Sequence, residues 1–234
     1  MIIFLISFFL SSVSLVFCMY NFNIFLSVLA FTIIFFVTYF LSSKMICNIL
    51  EKKITIIQKE INNKKNFSTS IYLMLLLKKK YRFWYFSVNR IINSQVGLLY
   101  YVQRKFRKSY PFLVCVHHNL WVQKIMLAAL YFKTKSFTNM EKTFQETADY
   151  NAKENIIWSI WAYCKWKSGN LTDAIKILEL KKNDLDTEDP KIEKNILLLK
   201  QSRKMNMKEY GEMWLQFHLE PPQTNYRKNV KTVR

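Results

Sequence analysis

Two apolar runs open the chain. Residues 2–18 (IIFLISFFLSSVSLVFC) and 24–43 (IFLSVLAFTIIFFVTYFLSS) are parted only by residues 19–23, and the first Lys, Arg, Asp or Glu is Lys44. Twenty helical residues rise about 30 Å, the thickness of a bilayer core, and seventeen is the short end of the spanning range. A cleaved signal would carry a basic leader and small residues at its cleavage site. No positive side chain precedes the first run, and Phe17 stands before Cys18. The pattern therefore predicts a transmembrane helical hairpin over residues 1–43. Residues 44–65 keep apolar positions at Ile46, Leu50, Ile54, Ile57 and Ile61 among lysines. Steps of four and three make one helical stripe. It either continues the second membrane helix, lies along the headgroups, or forms a simple stalk.

From about residue 66 the apolar positions recur at helical spacing in short stretches broken by polar turns. Stretches 70–77 and 82–93 flank KKKY, and 96–105 and 111–119 flank FRKSY, so two irregular helix pairs are expected over residues 66–120. "IYLMLLL" at 71–77 is too short to span a bilayer and reads as core. Beyond them a period emerges. Residues 121–154 align without a gap on residues 155–188, placing Leu127 on Trp161, Ala128 on Ala162, Phe137 on Leu171 and Phe144 on Leu178. A helix over 191–203, started by Asp189–Pro190, would cap the second unit. Residues 208–223 (KEYGEMWLQFHLEPPQ) space Tyr210, Trp214 and Phe217 by four and three, which predicts a short amphipathic helix needing something to dock on. The last twelve residues carry four basic side chains and no acid, and are expected to be disordered.

Composition supports an all-α fold. Only 3 Gly and 4 Pro occur, and apolar residues make up 51%, whereas sheet-rich folds need many tight turns built on such residues. The 34-residue unit resembles the tetratricopeptide repeat. The first copy keeps Leu127, Ala128, Tyr131 and Phe144 of its pattern, and the second keeps Trp158, Ala162, Gly169 and Ala174. Lys165 stands where the pattern has Tyr, Met140 where it has Ala, and the late Pro falls on Ala152 and Asp186. The resemblance implies an α-solenoid of degenerate helix pairs over residues 121–203; the aromatic helix and basic tail follow over 204–234. Small residues at 128, 162 and 174 let antiparallel helices approach, and such pairs must stack to bury their apolar faces. Two membrane helices followed by such repeats are similar to bacterial membrane-anchored repeat proteins, HemY-like in architecture only.

Charge locates the membrane side. Residues 44–110 carry 15 Lys/Arg against 2 Asp/Glu, leaving only +6 of the net +19 to residues 111–234. Basic residues beside a membrane helix favour the cytoplasmic side and anionic headgroups. An N-in, C-in hairpin in the bacterial inner membrane with cytoplasmic repeats is expected. Nucleic acid attracts the same charge, but no nucleic-acid-binding motif accompanies it.

Chemistry is sparse. Cys18, Cys47, Cys115 and Cys164 show no C-x-x-C spacing, and the adjacent His117 and His118 of "CVHH" point about 100° apart if helical, so neither metal nor cofactor is expected. With His218 the only other histidine, and no phosphate loop, triad or carboxylate pair, catalysis is not expected. Partner binding is what the resemblance implies. Its concave positions map to Val122, Ile125, Ala129, Phe132 and Lys133, then Ile156, Ser159, Tyr163, Trp166 and Lys167. Both copies thereby present an aromatic–Lys pair suited to an acidic peptide segment. Alternatively, these aromatics anchor the chain's own tail. The function expected is a non-catalytic scaffold holding a protein partner at a membrane. The alternatives are a periplasmic scaffold of an envelope machine such as a flagellar motor, or lipid or nucleic-acid binding through residues 44–110.

Overall fold

The computed structural model describes residues 1–21, 23–64, 66–84, 87–117, 119–183 and 189–220. Among the described residues the chain is helical throughout, without strands, and divides into two compact units, residues 1–99 and 100–234. The division falls inside the stretch expected to hold irregular helix pairs.

In the first unit, α1 (Ile2–Asn21) and α2 (Ile24–Lys64) pack against each other. Phe4 meets Phe35 at 5.4 Å and Phe8 meets Phe31 at 6.0 Å. One partner advances by four while the other retreats by four, so the helices are antiparallel. Ser7, Ser11 and Ser27 are buried, while Phe9, Val16, Phe17, Phe25, Phe36 and Phe40 face outward. Small residues inside and large apolar ones outside are the inverse of a water-soluble helix pair and suit a lipid surround. One helix, over Ile24–Glu60, is long and apolar enough to cross a membrane; the apolar part of α1, Ile2–Phe17, is shorter.

Over residues 44–64 α2 runs on without a break. Its stripe of Ile46, Leu50, Ile54 and Ile57 is buried; the side chain of Ile61 lies outside the described residues. The stripe belongs to a small core with Ile71 and Met74 of α3 (Phe67–Tyr81) and Val88, Ile92 and Val96 of α4 (Val88–Val102). Gln58 donates to Gln95 at 2.9 Å, and Lys78 to Asn93 at 2.9 Å, tying α2 and α3 to α4.

The expected breaks differ here. Residues 82–93 and 96–105 are not separate helices, because α4 runs through both stretches. "FRKSY" is not a turn either: α5 (Phe106–Val114) includes it, along with Pro111. The chain turns instead at Arg104, whose φ is 59°.

That turn recurs. In the second unit, α6 (Trp121–Lys133), α8 (Asn155–Lys167) and α10 (Pro190–Lys200) each end as α4 does, on a residue of positive φ: Lys135, Gly169 and Ser202. In each, the next N–H reaches back five residues: Lys105 to Tyr100 (2.9 Å), Ser136 to Tyr131 (2.9 Å), Asn170 to Lys165 (3.0 Å) and Arg203 to Leu198 (2.8 Å). These are Schellman caps, which satisfy carbonyls the helix leaves open. α7 (Phe137–Tyr150) and α9 (Leu171–Lys182) follow and pack on α6 and α8. The starts of α6 and α8 lie 34 residues apart, as do those of α7 and α9. Aligned positions share their burial: Leu127 with Trp161, Ala128 with Ala162, Met140 with Ala174, Phe144 with Leu178. Phe137, aligned with Leu171, is 42% exposed.

Lys165, which stands where the repeat pattern has Tyr, is a buried junction. Its ammonium pairs with Glu141 of α7 and, at 3.6 Å, with Asp173 of α9, so one side chain joins three helices. A tyrosine could not make both contacts.

A left-handed conformation costs a residue with a Cβ about 1–2 kcal/mol, partly offset by the greater freedom glycine has when unfolded. Lys135→Gly should therefore stabilise the second unit by about 0.5–1 kcal/mol. Gly169→Ala should destabilise it, although a Cβ there would meet nothing within 4 Å. Denaturant midpoints of the two variants moving in opposite directions would bear out the caps, and identical midpoints would contradict them.

Candidate partner-binding groove

The ten positions expected to bind a partner lie on α6 and α8, which are in contact. Their environments divide by depth. Ile125, Ala129, Ile156, Ser159 and Tyr163 are buried, Val122, Phe132 and Trp166 are half-buried, and Lys133 and Lys167 are exposed.

The chain itself covers much of this face. After α10, where a helix partnering α10 would begin, residues 205–220 instead form a 3₁₀ turn, Met207–Tyr210, and one helical turn, Glu212–Leu215. The single amphipathic helix expected over 208–223 is thus broken at Gly211, which holds φ at 58°, a value natural to glycine. Residues 221–223 and the basic tail to 234 lie outside the described residues.

The segment is fixed at several points. Tyr210 and Ser159 hydroxyls lie 2.7 Å apart, and Asn206 N–H donates to Asn195 of α10 at 2.7 Å. Trp214, 2% exposed, sets its ring edge-on to Tyr163 with centroids 4.7 Å apart. Tyr163 donates to Glu220 at 3.3 Å. Phe217 is fully buried, and its carbonyl accepts from the Tyr101 hydroxyl at 2.6 Å. His218 stacks on Tyr101 at 5.7 Å. Thus Trp214 and Phe217 dock on their own chain, against Tyr163 and Tyr101.

The two aromatic–Lys pairs are not equivalent. Lys133 extends over the ring of Phe106, 4.0 Å from its centroid, rather than joining Phe132 outward. Although the residue as a whole is exposed, desolvation of the ammonium against that ring, and secondarily the Arg104 charge, lowers its pKa to about 8. Lys167 lies 4.5 Å over its neighbour Trp166. Burial also raises the phenols of Tyr101 and Tyr163, with Glu220 adding to the effect on Tyr163. Tyr210 is pushed up to about 12 by burial, partly countered by its bond to Ser159. Burial, then Arg104 and Lys133, hold His218 below the usual histidine value. All three phenols stay neutral near pH 7; Tyr101 and Tyr163 donate hydrogen bonds, and Tyr210 shares one with Ser159.

What the tail leaves open is a cavity of about 900 Å³. Phe132, Tyr163, Leu198, Met205 and Met207 supply apolar wall, and Lys167, Lys194, Lys204 and Lys208 supply charge. Lys194 is paired with Glu209. Lys167, Lys204 and Lys208 have no carboxylate partner among the described residues, and Glu220 is the one acid in the lining. The lining thus sets uncompensated positive charge beside apolar wall.

Of the expected positions, Phe132, Tyr163 and Lys167 reach the cavity; the others do not line it. The lysines from α10 and the following loop were missed. The period of 34 ends before them, and residues 191–203 read only as a cap. The recurrence of Lys194, Lys204 and Lys208 around Met205 and Met207 was the available signal.

Elsewhere, His117 lies in a loop after α5, not on a helix as the "CVHH" reading supposed, and shares a 3.1 Å hydrogen bond with Asn119; His118 is outside the described residues. Burial raises the thiol pKa of Cys164, which disfavours the thiolate. No family model, curated protein or solved structure matches the chain.

Proposed function

We propose that the chain is a non-catalytic membrane-anchored adaptor whose helix pairs are degenerate tetratricopeptide-like repeats. Its basic cavity takes an acidic, apolar-containing segment of a protein partner. One observation carries the reading: α8 already holds a peptide-like, aromatic-rich segment, residues 205–220, through a hydroxyl pair, a ring contact and a carboxylate. A surface that orders such a segment in cis has the chemistry to hold a similar one in trans. The open lysines beside it favour an acidic partner. The hairpin is read as entering the inner membrane with both ends in the cytoplasm, on the basic excess after residue 43.

The test is crosslinking and affinity capture of the full chain from detergent-solubilised membranes, beside a Lys167→Glu/Lys204→Glu/Lys208→Glu variant. These side chains are exposed, so the fold should persist. The expected result is one stoichiometric protein partner, lost at least tenfold in the variant at low salt and less sharply at high salt. Equal recovery with both chains, or recovery of lipid or nucleic acid alone, would defeat the adaptor reading.

A further inference from the structure

We propose that the end of α3 and the turn at residues 82–84 form an interfacial anchor, seating aromatic and basic side chains in the headgroup layer of an anionic membrane leaflet beside the entry of α1. The inference rests on the membrane reading above and goes beyond it in assigning a lipid-facing site and its preferred headgroup charge.

The turn is tied to the hairpin by backbone bonds. Ile2 N–H donates to the carbonyl of Phe83 at 2.8 Å, and Ile3 N–H to that of Trp84 at 3.3 Å. The first N–H groups of a helix have no partner within it, and hydrocarbon offers none. The turn supplies two of them. Its depth is thereby set by the start of α1, where the apolar run begins.

At that depth the exposed side chains suit a headgroup layer. Phe83 and Trp84 are 51% and 38% exposed, although large aromatics at a turn facing only water would gain by burial. Trp at the ends of membrane helices places its ring among headgroups and its N–H toward water. The Arg82 guanidinium lies 4.2 Å from the Phe83 centroid, and the Lys80 and Lys53 ammonium groups lie 5.8 and 5.7 Å from that of Tyr81. Lys79, Lys80 and Arg82 are exposed and have no carboxylate partner among the described residues. Residues 44–110 contain only Glu51 and Glu60 as acids, so the cationic face is not neutralised locally. Aromatic rings interleaved with unpaired cations, held where a membrane helix begins, fit phosphate-bearing anionic lipids.

The full chain is reconstituted into nanodiscs of phosphatidylcholine, with and without phosphatidylglycerol. The emission lost in Trp84→Phe is the Trp84 signal. It should be quenched more by bromines near the headgroup than by bromines at the chain ends. Spin-labelled phosphatidylglycerol should associate more strongly than spin-labelled phosphatidylcholine. Lys79→Gln/Lys80→Gln/Arg82→Gln should reduce that preference by up to about fivefold per charge at low salt. Trp84 emission that bromolipids leave unquenched, or an unchanged preference in the triple variant, would overturn the anchor while carbonate-resistant retention of the chain upholds the hairpin. Extraction of the wild-type chain by carbonate would overturn both.

Discussion

Trp214→Ala should destabilise the second unit by about 3–5 kcal/mol, the cost of truncating a buried Trp to Ala. Trp214 is 2% exposed and is the largest fully buried side chain among the described residues. Its removal takes away the edge-on contact with Tyr163 and opens a void between the tail and α8. It also deletes the indole N–H that faces Glu220 at 3.5 Å, the carboxylate to which Tyr163 donates. Amide exchange on the full chain would show the result as lost protection across residues 205–220 and α8, with that of α2 unaffected. Trp214→Phe, which keeps an aromatic edge, should cost much less. Unchanged protection in Trp214→Ala would mean that the tail does not cover the groove. Because the tail fills part of the surface that the adaptor reading assigns to a partner, the same variant should alter capture as well as stability.

Ala174→Trp should cost more than the roughly 1–3 kcal/mol of ordinary overpacking, because the added volume is that of an indole. Ala174 is fully buried near the start of α9, and α9 packs against α8. The aligned position in the preceding pair is Met140, also buried, so the α6–α7 crossing already accommodates a longer side chain. Met140→Ala should therefore leave a cavity, and Ala174→Trp a clash. The two variants would test the 34-residue register from opposite directions. A melting transition unmoved by Ala174→Trp would show that residue 174 does not face α8.

The sequence made the helical character and the register of α6 to α9 legible because both rest on side-chain volume. Ala128, Ala162, Phe144 and Leu178 recur where close approach and filling are needed, and all four are buried. The turns were less legible. Of the four equivalent caps only Gly169 has the residue type that announces one; Arg104, Lys135 and Ser202 reach the same backbone geometry without it. Hence the true break at Arg104 was placed several residues late, at "FRKSY". Pro111 is no better guide. Proline usually marks a helix's first turn or its end, yet here it lies inside α5. The groove was legible in its α6 and α8 walls and illegible in its third wall. Lys194, Lys204 and Lys208 belong to no repeat, and their convergence depends on how the chain folds back after Ser202.

The unbroken course of α2 has a consequence for phase. At 1.5 Å per residue its 41 residues make a rod of about 60 Å, and each residue advances the helix by about 100°. The azimuth at which Leu50, Ile54 and Ile57 meet the small core of the first unit is therefore geared to the azimuth at which Phe31 and Phe35 meet α1. One residue inserted between those two sets would turn one relative to the other by more than a quarter of a revolution. Four residues would nearly restore the angle and lengthen the rod by about 6 Å. The helix thus works as a keyed shaft, tolerant of changes in length that keep its rotation and intolerant of those that do not.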